Sequence, residues 1–214
     1  LYRRCGVHSR GWARHLTDLV AYLTVMRRAN LTLNLKKCSL AQPEIKMVGH
    51  IIGSGTHRPD PDKMSVLQQM ERPLTKPALR RVLGMFGYYR SYIADFAEIA
   101  KPLTDLTSKD TPTNIPWEER HQRAFIQLRG AMCSPPVMRA PLCGQPFFLH
   151  TDASGTAVGC CLGQWDDKGG EHPVAYASQK FTSPQANWAT IEKEAYAVIW
   201  ALQKYRSVIF GAEI

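Results

Sequence analysis

The chain has 214 residues, 44% hydrophobic and 21% charged, which excludes a low-complexity or disordered polymer and allows one or two domains with a real core. No apolar run approaches the roughly 18 residues that span a bilayer, so no membrane partner is expected. The net charge of +9 is lopsided: residues 1–110 carry 18 Lys or Arg against 9 Asp or Glu, whereas residues 111–214 carry 9 of each. A basic half joined to a neutral half predicts that the first grips a polyanion and the second acts on it differently; a basic surface kept for solubility is the plainer alternative.

In chain order, a helix is predicted over residues 12–30, with Leu16, Leu19, Val20, Leu23 and Met26 on one face. Arg27 and Arg28 lie near its C-terminal end, where the helix dipole favours cations. Residues 31–35 and 46–52 read as short strands, and Gly53-Ser54-Gly55 as a turn. Asp60-Pro61 is a helix start, with Asp as N-cap and Pro in the first helical position, leading into residues 63–70. Pro73 and Pro77 close that helix and open another over residues 78–96, whose apolar stripe is Leu79, Val82, Leu83, Phe86, Tyr89 and Ile93.

Arg80, Gly84 and Tyr88 follow a second line on the same helix, at i, i+4 and i+8. Gly inside a helix costs about 1 kcal/mol relative to Ala, so Gly84 and Gly87 call for something that approaches the backbone closely. A nucleic-acid groove or a tightly packed helix would each satisfy this.

Residues 107–116, rich in Thr, Pro, Asp and Asn, read as a linker, followed by an amphipathic helix over 117–132 that aligns Ala124, Phe125, Leu128 and Met132. From residue 145 the period becomes that of strands: 146–151, 157–165 and 173–178 predict an antiparallel three-stranded meander. A helix over 187–206 packs on one face, and 208–214 begins a fourth strand. The class is α+β. The six cysteines form no C-x-x-C pair and no zinc spacing, so they read as free thiols in a reducing compartment, cytoplasmic or nuclear.

Two carboxylates stand out. Asp152 closes the first strand of the meander, and Glu194 lies on the flank of a helical stripe formed by Ile191, Ala195, Val198, Leu202 and Tyr205, while Glu192 and Lys193 turn away. A half-buried acid facing an acid on a strand calls for a cation between them; a Lys or Arg at the helix edge pairing with Glu194 is the alternative.

Several motifs occur in order: Asn30-Leu31-Thr32-Leu33-Asn34 with Lys36-Lys37-Cys38, Val48-Gly49-His50-Ile51-Ile52, Arg58-Pro59-Asp60-Pro61-Asp62-Lys63, Leu83-Gly84-Met85-Phe86-Gly87-Tyr88-Tyr89-Arg90, Pro102-Leu103-Thr104, Thr151-Asp152-Ala153-Ser154 and Glu192-Lys193-Glu194. With them the chain resembles the Pol polyprotein of gypsy-like LTR retrotransposons. The resemblance implies a partial reverse-transcriptase palm over residues 1–57, a helical thumb over 58–106, a tether over 107–143 and an incomplete RNase H-like domain over 144–214.

It further implies that Met47, Gly49 and His50 lie on the hairpin that holds a primer end, and that Arg80, Gly84 and Tyr88 face a nucleic-acid duplex. Asp152 and Glu194 would be the first two acids of a Mg²⁺ or Mn²⁺ site, and the partner would be an RNA–DNA hybrid or another duplex. The family's activities are RNA-directed DNA synthesis and hydrolysis of RNA in RNA–DNA hybrids. Two departures bear on this chain. Arg3 and Arg4 stand where the family's polymerase aspartates fall, and a cation cannot ligate magnesium. The third and fourth ribonuclease acids would fall beyond Ile214. A chain that is inactive by itself is therefore expected, as a fragment or decayed copy; the alternative function is non-catalytic binding of duplex nucleic acid through the basic first half, with Arg80, Arg81 and Arg90 on the phosphates.

Overall fold

The computed structural model describes residues 6–9, 11–133 and 135–214. The positions of Arg3 and Arg4, and with them the polymerase departure, lie outside the described residues. Helix α1, Trp12–Arg28, forms as predicted but buries none of its residues: Leu16, Val20 and Leu23 are exposed. The strand predicted over 31–35 is absent. Asn34 instead caps a 3-10 turn, Leu35–Lys37, accepting a hydrogen bond from the Lys36 N–H at 3.1 Å. That local bond competes with the strand ladder.

The single strand expected over 46–52 is a hairpin, β1 (Glu44–Met47) and β2 (His50–Gly53), continued by β3 (Thr56–Pro59). Both turns are two-residue turns with left-handed central residues: Val48 at φ 50° with Gly49 at 78°, and Ser54 at 51° with Gly55 at 72°. That geometry matches the twist of the flanking strands and explains the two glycines. Val48 is the exception, since a β-branched side chain is strained at positive φ.

Asp60 caps α2 (Pro61–Gln68) by accepting from the Asp62 N–H at 3.2 Å, with Pro61 in the first turn. Thr75 caps α3 (Lys76–Tyr88), which stops eight residues short of the predicted end. A 3-10 turn, Arg90–Tyr92, follows, then the short helices α4 (Phe96–Ile99) and α5 (Lys101–Asp105). Residues 111–116 are not a free linker. The Lys76 N–H donates to the Thr113 carbonyl at 2.9 Å, Thr75 bridges Asn114, and Ile115 is buried, so the segment straps the start of α3.

Helix α6 (Glu119–Cys133) places Ala124, Phe125, Leu128 and Met132, the predicted stripe, in one core with Met64, Leu79, Phe86 and Leu103 from α2, α3 and α5. Its C-terminal side leads to β4 (Met138–Arg139), which joins β3 in the order β1-β2-β3-β4. The second sheet is the predicted meander: β5 (Phe148–Ala153), β6 (Ala157–Trp165) and β7 (Glu171–Lys180), all antiparallel.

Buried Gln164 secures the approach to β5. Its Oε1 accepts from the Leu142 N–H, and its Nε2 donates to the Leu142 and Gln145 carbonyls. Asp166 organises the β6–β7 turn by accepting from His172 and from the Gly170 and Lys168 N–H groups; these bonds, that of His172 first, hold its carboxyl down to about 2.

The helix predicted over 187–206 is α8 (Thr190–Ile209), and a short helix that was not predicted, α7 (Ser183–Ala186), precedes it. The predicted fourth strand does not form: Val208 and Ile209 complete α8, and Glu213 contributes one carbonyl to the Phe147 N–H at 2.9 Å. Twenty residues of continuous helix carry the chain past the point where a strand was to begin.

Candidate functional site

Helix α8 packs on β5 and β6 through Ala197, Ala201, Tyr205 and Ile209; of the predicted line only Tyr205 is buried, and Ile191, Ala195, Val198 and Leu202 are exposed. The true face is rotated by less than a quarter turn, and the small alanines let the helix lie close to the sheet. Glu194 stands three residues before Ala197 and seven before Ala201, on the packing side but beyond its last buried contact. It is exposed rather than half-buried, and it makes no ion pair or hydrogen bond among the described residues. Glu192 is already engaged, accepting from the Ala189 N–H at 2.8 Å at the start of α8. Capping thus separates the two acids as periodicity did.

Asp152 is also exposed and unpaired among the described residues. On β5, Leu149 and Ala153 pack with the clusters that hold Ala201 and Ala197, so the odd positions face α8. Asp152, with Phe148 and His150, belongs to the opposite face. The expected pair facing each other across a helix–sheet interface is therefore not formed. Asp152 lies directly across from Gly159 of β6, and the Asp95 carboxylate occupies the space over that glycine: a Cβ there would come within 2.6 Å of Asp95 Oδ1.

Burial, then Glu98, then Asp152 push the Asp95 carboxyl above its ordinary value. Asp95 is the carboxylate neighbour of Asp152 that sequence reasoning missed. Its αL backbone, φ 52° at the start of α4, comes from a loop with no periodicity, and only the fold brings it to β6. Among the described residues no group of three or more His, Cys, Asp or Glu side chains could hold a metal.

The hairpin tip is tied to α3. Tyr88 donates to the Val48 carbonyl at 2.5 Å and Tyr89 to the Gly49 carbonyl at 3.1 Å. His50 stacks on Tyr88 and Tyr92 and meets Tyr89 edge-on. A Cβ on Gly49 would stand 2.8 Å from the Tyr89 hydroxyl, which is why glycine is needed there beyond its φ. Met47 ends β1, paired with His50. On the outer line of α3, Arg80 donates to the Thr107 carbonyl at 2.9 Å, Gly84 is exposed with open space where a Cβ would go, and Tyr88 is half exposed. Close packing against another helix of this chain does not occupy Gly84.

Residues 117–214 match the family described as the RNase H-like domain found in reverse transcriptase. The Pol polyprotein of transposon opus from Drosophila melanogaster is 35% identical over 96% of this chain and 21% of its own length. That of transposon 297, from the same organism, is 31% identical over 97% of this chain and 19% of its length, and the Tf2-3 polyprotein of Schizosaccharomyces pombe is 30% identical over 94% and 15%. The chain belongs to the Pol polyproteins of LTR retrotransposons. It spans about a fifth or less of the length of these Pol relatives.

Two solved structures carry the same fold. The foamy viral protease-reverse transcriptase dRH in complex with double-stranded DNA has a TM-score of 0.82 and 25% identity, covering 95% of this chain and 36% of that one. The foamy viral protease-reverse transcriptase in complex with an RNA/DNA hybrid has a TM-score of 0.81 and 25% identity, covering 95% and 27%. The mixed α+β architecture of this Pol chain is thus that of retroviral reverse transcriptases.

Proposed function

We propose that this chain is the hybrid-handling part of a retrotransposon reverse transcriptase and ribonuclease H, and that Asp152 and Glu194 contribute to the site that hydrolyses the RNA strand. The single observation that carries the reading is the pair of exposed, unpartnered carboxylates at motif positions inside the matched RNase H-like region. In this reading residues 1–57 end the palm, 58–106 form the thumb, 107–143 the tether and 144–214 the RNase H-like domain. The basic first half holds the duplex, with Met47, Gly49 and His50 at the primer end and Arg80, Gly84 and Tyr88 along the groove. The structural relatives bound to double-stranded DNA and to an RNA/DNA hybrid support a duplex partner.

Hard carboxylate oxygens suit Mg²⁺ or Mn²⁺, and Mg²⁺ is commonly held by one or two carboxylates with the rest of its shell water; with Asp152 on the sheet face away from α8 the two acids do not converge on one ion, so each would hold a hydrated ion separately. Such an ion supplies Lewis-acid polarisation of the phosphodiester and a more acidic water. The carboxylates themselves place negative charge beside the scissile phosphate, and their freedom from intrachain ion pairs leaves them available for ligation.

The test is binding and Mg²⁺-dependent cleavage of a labelled RNA–DNA hybrid by the chain, with Asp152→Asn and Glu194→Gln beside it. The chain alone is expected to bind the hybrid and to be inactive or nearly so, with whatever cleavage it shows abolished by both variants. Equal cutting by Asp152→Asn sinks the assignment of Asp152. The absence of a third clustered ligand among the described residues favours a second reading, a non-catalytic duplex binder; retained binding with no cleavage in any variant would support it.

A further inference from the structure

A cleft of about 340 Å³ runs between the 3-10 turn Arg90–Tyr92 and the outer side of β7 and α8, walled by Arg90, Ser178, Gln179, Trp200 and Lys204. No acid lines it, and neither the Arg90 nor the Lys204 side chain makes an ion pair or hydrogen bond among the described residues. Two cations that share a cleft repel each other unless an anion lies between them. The uncharged walls supply donors as well: Trp200 gives its N–H to Gln179 Oε1 at 2.9 Å, which leaves the Gln179 amide hydrogens directed elsewhere. Beyond Lys204 the surface opens into a groove with Arg206 and Phe210, a residue that is 81% exposed. Cations at successive positions beside an exposed aromatic ring suit a sugar–phosphate backbone with a base stacked next to it.

We infer that this cleft seats backbone phosphates of one strand of a nucleic-acid duplex, with Arg90 and Lys204 as the gripping pair at the junction of the helical core and the sheet. The inference rests on the hybrid-handling reading above and adds the place and the residues of contact. It is tested by the salt dependence of binding to a fluorescent RNA–DNA hybrid, using Arg90→Gln, Lys204→Gln, the double variant, Arg90→Lys, and Lys168→Gln in the distant β6–β7 turn as control. Each lost phosphate contact should lower the slope of log affinity against log salt by about 1, so the double variant should lose about 2. Arg90→Lys and Lys168→Gln should keep the full slope. Thermal melts establish that the variants fold, and Lys204→Gln, on an exposed helix surface, carries the test if Arg90→Gln does not. Full slopes in Lys204→Gln and the folded Arg90 variants overturn the cleft and leave the hybrid reading standing. No binding by the unmodified chain at about 50 mM salt, where phosphate contacts are strongest, removes both.

Discussion

Tyr92 joins the two halves of the first sheet to the helical core through one oxygen. Its hydroxyl lies 2.7 Å from His57 Nδ1 and 3.1 Å from His50 Nδ1. A hydroxyl has one proton to give, so it donates to the Nδ1 of one ring and accepts from the Nδ1–H of the other. Burial lowers the affinity of both rings for a second proton, and His50 lowers that of His57 further; the Val174 backbone opposes this at His57. Burial also pushes the Tyr92 hydroxyl up to about 12, with Tyr89 and Tyr88 adding to it. Because the folded histidines titrate below their ordinary value near 6.5, their contribution is complete above that pH and is lost as the pH falls through it.

A melting temperature that declines between pH 7 and pH 5, before the carboxylates titrate, is therefore expected. Tyr92→Phe should lower the urea midpoint by the equivalent of about 1–3 kcal/mol with an unchanged slope, the cost of stranding buried ring nitrogens. An unaltered midpoint would mean that the hydroxyl does not bridge them. None of this was legible in the sequence, where Tyr92 and the two histidines stand more than thirty residues apart.

At the scale of elements, α8 shows what periodicity can and cannot decide. Its sequence is apolar on more than one side, so the stripe of larger residues, Val198 and Leu202, competed on paper with the stripe of Ala197 and Ala201. The structure buries the alanines completely and leaves Leu202 at 38% exposure. Close approach to β6 outweighs the greater transfer energy of the larger side chains, because a bulky residue at 197 or 201 would hold the helix away from Val158, Cys160 and Leu162.

Ala201→Leu should then destabilise by about 1–3 kcal/mol through overpacking, while Leu202→Ser should stay within about 0.5 kcal/mol. The reverse order in denaturant unfolding would restore the predicted face. The existence of α1, α2, α3, α6, α8 and the β5–β7 meander was readable because each has a cap, a proline or a clean period. β3 and β4 were not: they are short, β3 carries His57, Arg58 and Pro59, and its partner Met138–Arg139 is supplied from the far side of α6. The motif positions of Asp152 and Glu194 were also readable, but which face of the sheet each occupies depended on a packing register that only the folded chain fixes.

At the scale of the whole molecule, the helical core and the RNase H-like sheet meet on the face opposite α8. The Ala97 N–H donates to Ser178 Oγ at 2.9 Å, Tyr176 of β7 packs against the helical core, and Asp105 of α5 pairs with Lys180 as well as with Lys101. This closure brings Asp95 onto β6 beside Asp152, so part of the gain from docking is offset by two like charges and by partial loss of water around the Asp95 carboxyl. A carboxyl raised above its ordinary value favours the folded state while protonated. Stability is therefore lost as the pH rises through the unfolded value near 3.8 and on through the folded one, and the loss persists at neutral pH.

Asp95→Asn removes the charge while keeping a residue that tolerates the left-handed backbone at φ 52°. The variant should match the unmodified chain near pH 3 and melt about 1–2 °C higher at pH 7, a small gain because solvent still reaches and screens the partly exposed carboxyl. A difference that is the same at both pH values would assign the effect to packing, and a lower melting temperature at pH 7 would mean that the Asp95 charge is satisfied by a partner. Since Asp95 and Asp152 share a face, the same substitution in the hybrid-cleavage assay reports whether charge beside Asp152 matters to catalysis: unchanged cleavage with a raised melting temperature would make Asp95 a feature of domain docking alone.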